Sequence, residues 1–94
     1  MTNDSLKKFL SSAPSSPGIY IFKEGGRKLY IGKAANLKSR LRSYLKITDP
    51  RIQKMLSVAD NLELRATDSD IEALILESQL IKNLQPKFNI MLRD

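Results

Sequence analysis

The chain has 94 residues and a net charge of +6, which is enough for one small domain with a single modest core. It contains no Cys and no His, which excludes a disulfide framework, a thiolate nucleophile, a zinc ribbon, a Ser-His-Asp triad and histidine-based one-metal nuclease sites. The first residues do not form a basic-then-apolar leader, and the apolar runs are short. The sequence therefore predicts a cytoplasmic protein that neither spans a membrane nor is secreted.

The positive charge is concentrated in the first half of the chain. Residues 1–48 carry a net charge of +8 and residues 49–94 carry −2, and no acid occurs from Gly25 to Thr48. A basic segment of this kind predicts contact with a polyanion. The charge alone leaves open a solvated basic helix without a partner, a membrane surface or an acidic protein.

The first two predicted elements are a short helix and a β-hairpin. Apolar residues at helical spacing predict a helix over residues 4–12. Residues 18–23 and 28–31 are β-branched and aromatic and flank a glycine turn, which predicts the hairpin. Strand alternation favours Tyr20 and Tyr30 on one face of this hairpin.

A second helix is predicted from an N-cap at Asn36 to about Lys46, because leucines recur there every four residues. Its polar side divides into two groups. One group is an outward basic row composed of Lys38, Arg42 and Lys46. The other is Arg40 and Tyr44, which flank the leucine stripe and are expected to point back over the hairpin.

Two further helices and a strand complete the predicted order. Asp49 followed by Pro50 predicts the start of an amphipathic helix, and alternation over residues 62–67 predicts a half-buried third strand. Ser69 with Glu72 three residues later predicts a capping box at the start of the last helix.

The last helix carries a broad apolar arc that contains a carboxylate. The arc predicted to pack is composed of Ile71, Ala73, Leu74, Ile75, Leu80, Ile81 and Leu84. Glu77 falls inside this arc, and a carboxylate in a core must be paired, protonated or bound to a cation. An ion pair with a Lys or Arg of a neighbouring element remains an alternative at this point.

Without His or Cys, the reactive groups are three tyrosines, the basic cluster and a few carboxylates. An unperturbed tyrosine is ionised in about one molecule in a thousand at pH 7, and Lys33 and Arg40 are expected to lower that pKa by favouring the phenolate. The sequence does not supply the converging carboxylates of a two-metal site, so a one-metal site on Glu77 is the simpler hypothesis. For a lone strand tyrosine, aromatic packing is the commoner role.

An ordered set of short motifs resembles the GIY-YIG nuclease family. The set is Gly18-Ile19-Tyr20, Tyr30-Ile31-Gly32, Lys33, Asn36-Leu37-x-x-Arg40-Leu41, Tyr44, Glu77 and Pro86-x-x-Asn89. One tripeptide would carry little information, whereas this order over about 70 residues is specific. Within the family, the chain is similar to the branch that acts in bacterial nucleotide excision repair, over roughly Pro14 to Asp94. Phe88 departs from the tyrosine that is common at its position.

The resemblance implies an α+β fold, with a small three-stranded antiparallel β-sheet flanked by helices. It also implies the roles of three residues around the attacking water. Tyr30 would be the general base or the group that orients the water, Tyr20 its hydrogen-bond partner, and Lys33 the cation that lowers the phenol pKa.

The resemblance assigns a second group of residues to the phosphate and the metal. Arg40 would stabilise charge on the scissile phosphate, and Tyr44 would hold or orient that phosphate. Glu77 would bind one divalent cation, Mg²⁺ or Mn²⁺, with Asn89 orienting groups nearby.

The activity implied is that of a metal-dependent DNA endonuclease that cuts on the 3′ side of a lesion and leaves 3′-hydroxyl and 5′-phosphate ends. Gly18 and Gly32 belong to its structural motif. The side chains expected to contact DNA are Arg27, Lys28, Lys38, Arg42 and Lys46.

The expected partners are damaged double-stranded DNA and, through a longer protein, a loading protein already bound to that DNA. Residues 1–94 are expected to form a single endonuclease domain excised from the N-terminus of that longer protein, and to be monomeric when isolated. Two alternatives stay open, namely a stand-alone nuclease of the same family and a DNA-binding module without catalysis, in which the tyrosines only pack.

Overall fold

The computed structural model of the protein describes residues 1–92. The elements in chain order are α1 (Asn3–Ser12), β1 (Gly18–Glu24), β2 (Arg27–Ala34), α2 (Leu37–Tyr44), α3 (Pro50–Val58), β3 (Asn61–Ala66), α4 (Asp70–Leu84) and α5 (Lys87–Met91). The last two residues of the predicted domain, 93 and 94, lie outside the described residues. Within the described part of the chain, no helix has the length and apolar character needed to cross a membrane.

Three helices begin at the capping residues that the sequence indicates. Asn36, Asp49 and Ser69 each accept a hydrogen bond from a main-chain N–H in the first turn of the helix that follows, which satisfies a donor that has no partner within the helix. The Glu72 carboxylate accepts from the N–H of Asp68 at 3.2 Å. The capping box of α4 therefore reaches one residue further back than predicted.

The strands form one antiparallel sheet in the order β2-β1-β3, which confirms the predicted α+β fold. Tyr20 in the central strand lies opposite Gly32 in β2. Strand β2 continues to Ala34, beyond its predicted end, so Gly32 and Lys33 lie within the sheet. Because β2 is an edge strand, its outward N–H and C=O groups are open to partners other than a strand.

Side-chain alternation divides the core into two layers. Tyr20 and Phe22 point to the face on which α1, α2, α3 and α5 pack. Ile19 and Ile21 point to the opposite face, where α4 packs through the fully buried Ala73. Full burial of each large apolar side chain stabilises the fold by about 1.5–3 kcal/mol, so both layers hold the hairpin in place.

The prediction that the apolar arc of α4 packs against the core is wrong for four of its seven residues. Ala73 lies against the sheet with Leu80 and Ile81 partly buried beside it, and Glu77 is half-buried on the same side. The exposed members are Ile71, Leu74, Ile75 and Leu84, at 69%, 46%, 52% and 46% of their full accessibility. A helix on one face of a narrow sheet buries only a stripe of its surface, and these four residues lie outside that stripe.

Candidate active site

Three tyrosines converge on the helix-covered face of the sheet. The ring centroid of Tyr20 is 6.3 Å from that of Tyr30 and 5.6 Å from that of Tyr44, which confirms that Tyr20 and Tyr30 share a face. The hydroxyl oxygens of Tyr20 and Tyr44 lie 2.9 Å apart and share a buried hydrogen bond. The direct hydrogen bond expected between Tyr20 and Tyr30 is therefore corrected to one between Tyr20 and Tyr44, because the Tyr20 ring extends across β2 toward α2.

Both motif glycines lie where another chain segment approaches closely. A Cβ atom on Gly32 would be 2.3 Å from both Cζ and the hydroxyl oxygen of Tyr20. A Cβ atom on Gly18 would be 2.3 Å from the carbonyl oxygen of Arg65 and 2.7 Å from Cδ1 of Leu37. Gly32 thus makes room for the ring of Tyr20, and Gly18 makes room for β3 and the start of α2.

We expect Gly32→Ala to destabilise the protein, because the new methyl group occupies the volume of the Tyr20 ring. Overpacking of this kind typically costs about 1–3 kcal/mol, measurable as a lower free energy of unfolding in urea. The control is the same substitution in a Tyr20→Leu background, where the ring is gone. An equal loss in both backgrounds would contradict the assigned contact.

Burial raises the pKa of every tyrosine in the cluster. It raises the pKa of Tyr20 to about 12 and also raises those of Tyr44 and Tyr30. At Tyr30, the charge of Glu77 adds to this rise, while Arg40 and a hydrogen bond with Tyr44 oppose it less strongly. The hydroxyl form of Tyr30 is therefore favoured at neutral pH.

The expectation that Lys33 lowers the pKa of Tyr30 is wrong in this structure. Tyr30 lies opposite Phe22 and points to the tyrosine face, whereas Lys33 lies opposite Ile19 on the α4 side. Residues three apart on a strand point to opposite faces of the sheet. Arg40 lowers the pKa of Tyr30, as predicted, but desolvation raises that pKa by more.

Asn89 from α5 binds the outer edge of β2. Its Oδ1 accepts from the N–H of Ile31 and its Nδ2 donates to the C=O of Ile31, both at 2.8 Å. The side-chain amide therefore replaces the neighbouring strand that the edge lacks. Its structural effect is to fix the backbone between Tyr30 and Gly32, so Asn89 positions the site through the main chain.

Glu77 meets the same edge two residues further along β2. The main-chain N–H of Lys33 hydrogen bonds to its carboxylate, consistent with Ile31 and Lys33 both presenting their N–H groups outward. Burial raises the pKa of Glu77, opposed by this hydrogen bond and by the positive charges of Lys33 and Arg40. A carboxylate that has lost solvent in this way gains from a nearby cation.

The ligand set fits a divalent cation that retains most of its water. Within residues 1–92, no three acidic side chains converge as a ligand cluster, so Glu77 would be the protein carboxylate of a single site. Mg²⁺ is commonly held by one or two carboxylates, water and substrate phosphate oxygens. The half-buried Glu77 carboxylate beside the tyrosine face provides such an oxygen donor.

Lys33 has a partner that the sequence analysis missed. Its Nζ lies 3.5 Å from Oδ1 of Asp70, at the start of α4. Asp70 and Glu77 are seven residues apart, which places them on one face of a helix two turns from each other. This spacing is the sequence signal that the two acids share a helix face. Only the packing of α4 along β2 shows that Lys33 interacts with both acids.

Arg40 lies in α2, within electrostatic range of the three tyrosines. It is exposed, and its positive charge lowers the pKa values of Tyr20, Tyr30, Tyr44 and Glu77. It also lines a shallow cleft of about 350 Å³ with Ala35, Asn36, Ser39 and Ser43. Arg40 is therefore the guanidinium available to a phosphate that approaches the cluster.

The remaining basic residues of the prediction occupy two separate regions. Lys38, Arg42 and Lys46 lie along α2 and the turn after it, with Arg42 and Lys46 exposed. Arg27 and Lys28 lie at the hairpin turn, where Arg27 pairs with Glu24 at 2.8 Å. Arg27 is about 20 Å from Lys33 along β2 at the usual strand rise, so the hairpin pair lies apart from the cluster.

The profile of the UvrC-like GIY-YIG domain matches residues 16–90 of the chain. UvrABC system protein C of Campylobacter jejuni (strain NCTC 11168) is 47% identical over the whole chain, and that of Thermotoga petrophila is 44% identical over 97% of it. The chain spans about one sixth of the length of these relatives, 17% and 16% respectively.

The fold also matches that of a solved domain. The crystal structure of the GIY-YIG N-terminal endonuclease domain of UvrC from Thermotoga maritima has a TM-score of 0.86 and 41% identity, covering 93% of this chain and 98% of that one. That domain is bound to its catalytic divalent cation, magnesium, and variants of it with one Tyr→Phe substitution also hold the catalytic cation. Because its sequence and its fold both match, the chain belongs to the family of UvrC-like GIY-YIG endonuclease domains.

Proposed function

We propose that the chain is a divalent-cation-dependent DNA endonuclease domain that cuts on the 3′ side of a lesion during nucleotide excision repair. The observation that carries this proposal is the placement of one half-buried carboxylate, Glu77, within electrostatic reach of Tyr30 and Arg40 at the edge of β2. These groups supply a cation ligand, a hydroxyl for the water and a guanidinium for the phosphate.

The reaction is hydrolysis of one phosphodiester bond. The oxygen of a water molecule bonds to phosphorus and releases one proton to solvent, the bond from phosphorus to the 3′-oxygen breaks, and the leaving oxygen takes a proton from solvent. The products are a 3′-hydroxyl and a 5′-phosphate. A divalent cation on Glu77 supplies positive charge that stabilises the leaving oxygen.

The tyrosines orient the attacking water, and the basic residues neutralise negative charge. Because burial favours the hydroxyl form of Tyr30, its oxygen accepts a hydrogen bond from the attacking water and orients it. The Tyr20–Tyr44 pair holds the rings around Tyr30 in place. Arg40 neutralises charge that develops on the phosphate, and Lys33 adds positive charge on the Glu77 side.

The names of the relatives support a proposal for the substrate and the assembly. We propose that the domain acts on damaged double-stranded DNA bound by UvrB, as part of a longer UvrC protein in the bacterial cytoplasm, and that the isolated domain is monomeric. The row formed by Lys38, Arg42 and Lys46 contacts the DNA backbone beside the cut. Arg27 and Lys28 extend the basic surface to the hairpin end.

The test is incision of a lesion-bearing duplex loaded with UvrB, with Mg²⁺ or with a chelator. We expect one metal-dependent cut on the 3′ side of the lesion. The upstream product should be extended by a polymerase, which needs a 3′-hydroxyl, and the downstream product should be sealed by a ligase, which needs a 5′-phosphate. Metal-independent binding without any cut would instead identify a DNA-binding module, with affinity falling steeply with salt.

A further inference from the structure

The ammonium group of Lys33 pairs with one carboxylate of α4 and acts electrostatically on a second. It is 3.5 Å from Oδ1 of Asp70, and its charge also acts on Glu77, whose carboxylate the main-chain N–H of Lys33 bonds. The two acids are separated along the helix axis by about 10 Å, from seven residues at the usual rise. The flexible four-carbon stem of a lysine allows its ammonium to pair with one acid or the other.

Whether Lys33 pairs with Glu77 or with Asp70 has opposite effects on the binding of a divalent cation at Glu77. An ammonium group on the Glu77 carboxylate would occupy the oxygen atoms that a divalent cation needs and would add a repelling charge. An ammonium group on Asp70 leaves those oxygen atoms accessible. The acid that holds Lys33 therefore determines how strongly lysine competes with the cation.

We propose that Asp70 is a positioning residue that holds the Lys33 ammonium away from the Glu77 carboxylate and so keeps that carboxylate open to a divalent cation. This inference rests on the proposed role of Glu77 as the metal ligand. Asp70 itself contacts neither the cation nor the phosphate. Its effect passes entirely through Lys33, which makes the inference testable with a pair of substitutions.

The experiment measures Mn²⁺ binding to the protein from the loss of the free-ion signal in electron paramagnetic resonance. We expect Asp70→Asn to weaken binding by about two- to fivefold, the range that a partly exposed ion pair can supply. Asp70→Glu should retain the wild-type affinity. Asp68→Asn is the matched control, because it removes the same charge from the same end of α4 without touching the Lys33 pair.

The second arm repeats the substitution in a Lys33→Gln background. With the competing ammonium absent, Asp70→Asn should leave Mn²⁺ affinity unchanged, because Asp70 affects Mn²⁺ binding only through Lys33. The inference is overturned if Asp70→Asn behaves like Asp68→Asn, or if it weakens binding equally in both backgrounds, which would indicate a direct effect of charge.

A Glu77→Gln variant separates this inference from the proposed function. If Glu77→Gln binds Mn²⁺ as well as the wild type does, the metal site itself is wrong and the role of Asp70 fails with it. If Glu77→Gln abolishes binding while Asp70→Asn has no effect, the metal site stands and only the role of Asp70 is wrong. Circular dichroism spectra of all variants verify that each one folds.

Discussion

Replacement of Glu77 by glutamine is expected to lower metal-dependent DNA cleavage by about a thousandfold or more, because the variant would lose the carboxylate that we propose as the cation ligand. Metal-ion stabilisation of a leaving oxygen supplies several kcal/mol in the transition state, and each 1.4 kcal/mol is a factor of ten in rate. The measurement is the rate of incision of UvrB-loaded damaged DNA at saturating Mg²⁺.

The same substitution should not weaken the fold. Burial raises the pKa of Glu77 in the folded protein, so ionisation of Glu77 costs the folded state stability as the pH rises from the unfolded pKa through the folded pKa. Glutamine removes this charge, and we expect the free energy of unfolding at pH 7 to be equal to that of the wild type or higher. Lost cleavage accompanied by lost stability would indicate a structural role for Glu77.

Glu63 provides the matched control. It is a strand carboxylate whose pKa is lowered, chiefly by hydrogen bonds from Lys23 and Arg65. Stability from such a group is present above its unfolded pKa and is lost as the pH falls. Glu63→Gln should therefore reduce stability at pH 7 and leave cleavage unchanged, which is the opposite pattern to Glu77→Gln.

Tyr30→Phe is expected to reduce cleavage by about a hundredfold, because the attacking water would lose the hydroxyl that orients it and a small misplacement of a reacting group costs about this factor. The ring remains in the cluster and only the hydroxyl is lost. The variant should lose about 0.5–1.5 kcal/mol of stability, because the hydrogen bond of Tyr30 with Tyr44 is removed while the buried one between Tyr20 and Tyr44 is intact. Single-turnover incision and urea unfolding measure the two quantities.

The pH dependence of the Tyr30→Phe variant distinguishes orientation of the water from base catalysis. Since burial raises the pKa of Tyr30, its hydroxyl form predominates between pH 7 and pH 9, and we expect the variant and the wild type to have parallel pH–rate profiles. A wild-type rate that climbs with pH, against a flat profile for the variant, would show that the Tyr30 phenolate accepts the proton.

Much of the fold was predictable from short-range patterns. The caps at Asn36, Asp49 and Ser69 mark the helix starts because each side chain satisfies a donor in its own first turn. Alternation in the hairpin separates the tyrosine face from the α4 face because strand side chains have a period of two. For α4, the sequence predicted the helix but not the buried stripe, since the sheet decides how much of the helix it covers.

The candidate site was predictable as a set of residues but not as a network of contacts. The motifs name Tyr20, Tyr30 and Glu77, and the structure brings these residues together. The sequence does not show that Tyr44 bonds Tyr20 or that Asp70 pairs with Lys33. These contacts join residues from different elements, and their geometry depends on how the helices pack on the sheet.

What the sequence by itself determined is therefore local: element type, caps, the face of each strand residue and the resemblance to a nuclease family. Only the tertiary structure decided that β2 is an edge strand, that Asn89 binds its outer side and that burial raises the pKa of Tyr30. The physical reason is that periodicity and capping act over a few residues, whereas strand order and desolvation depend on segments distant in the chain.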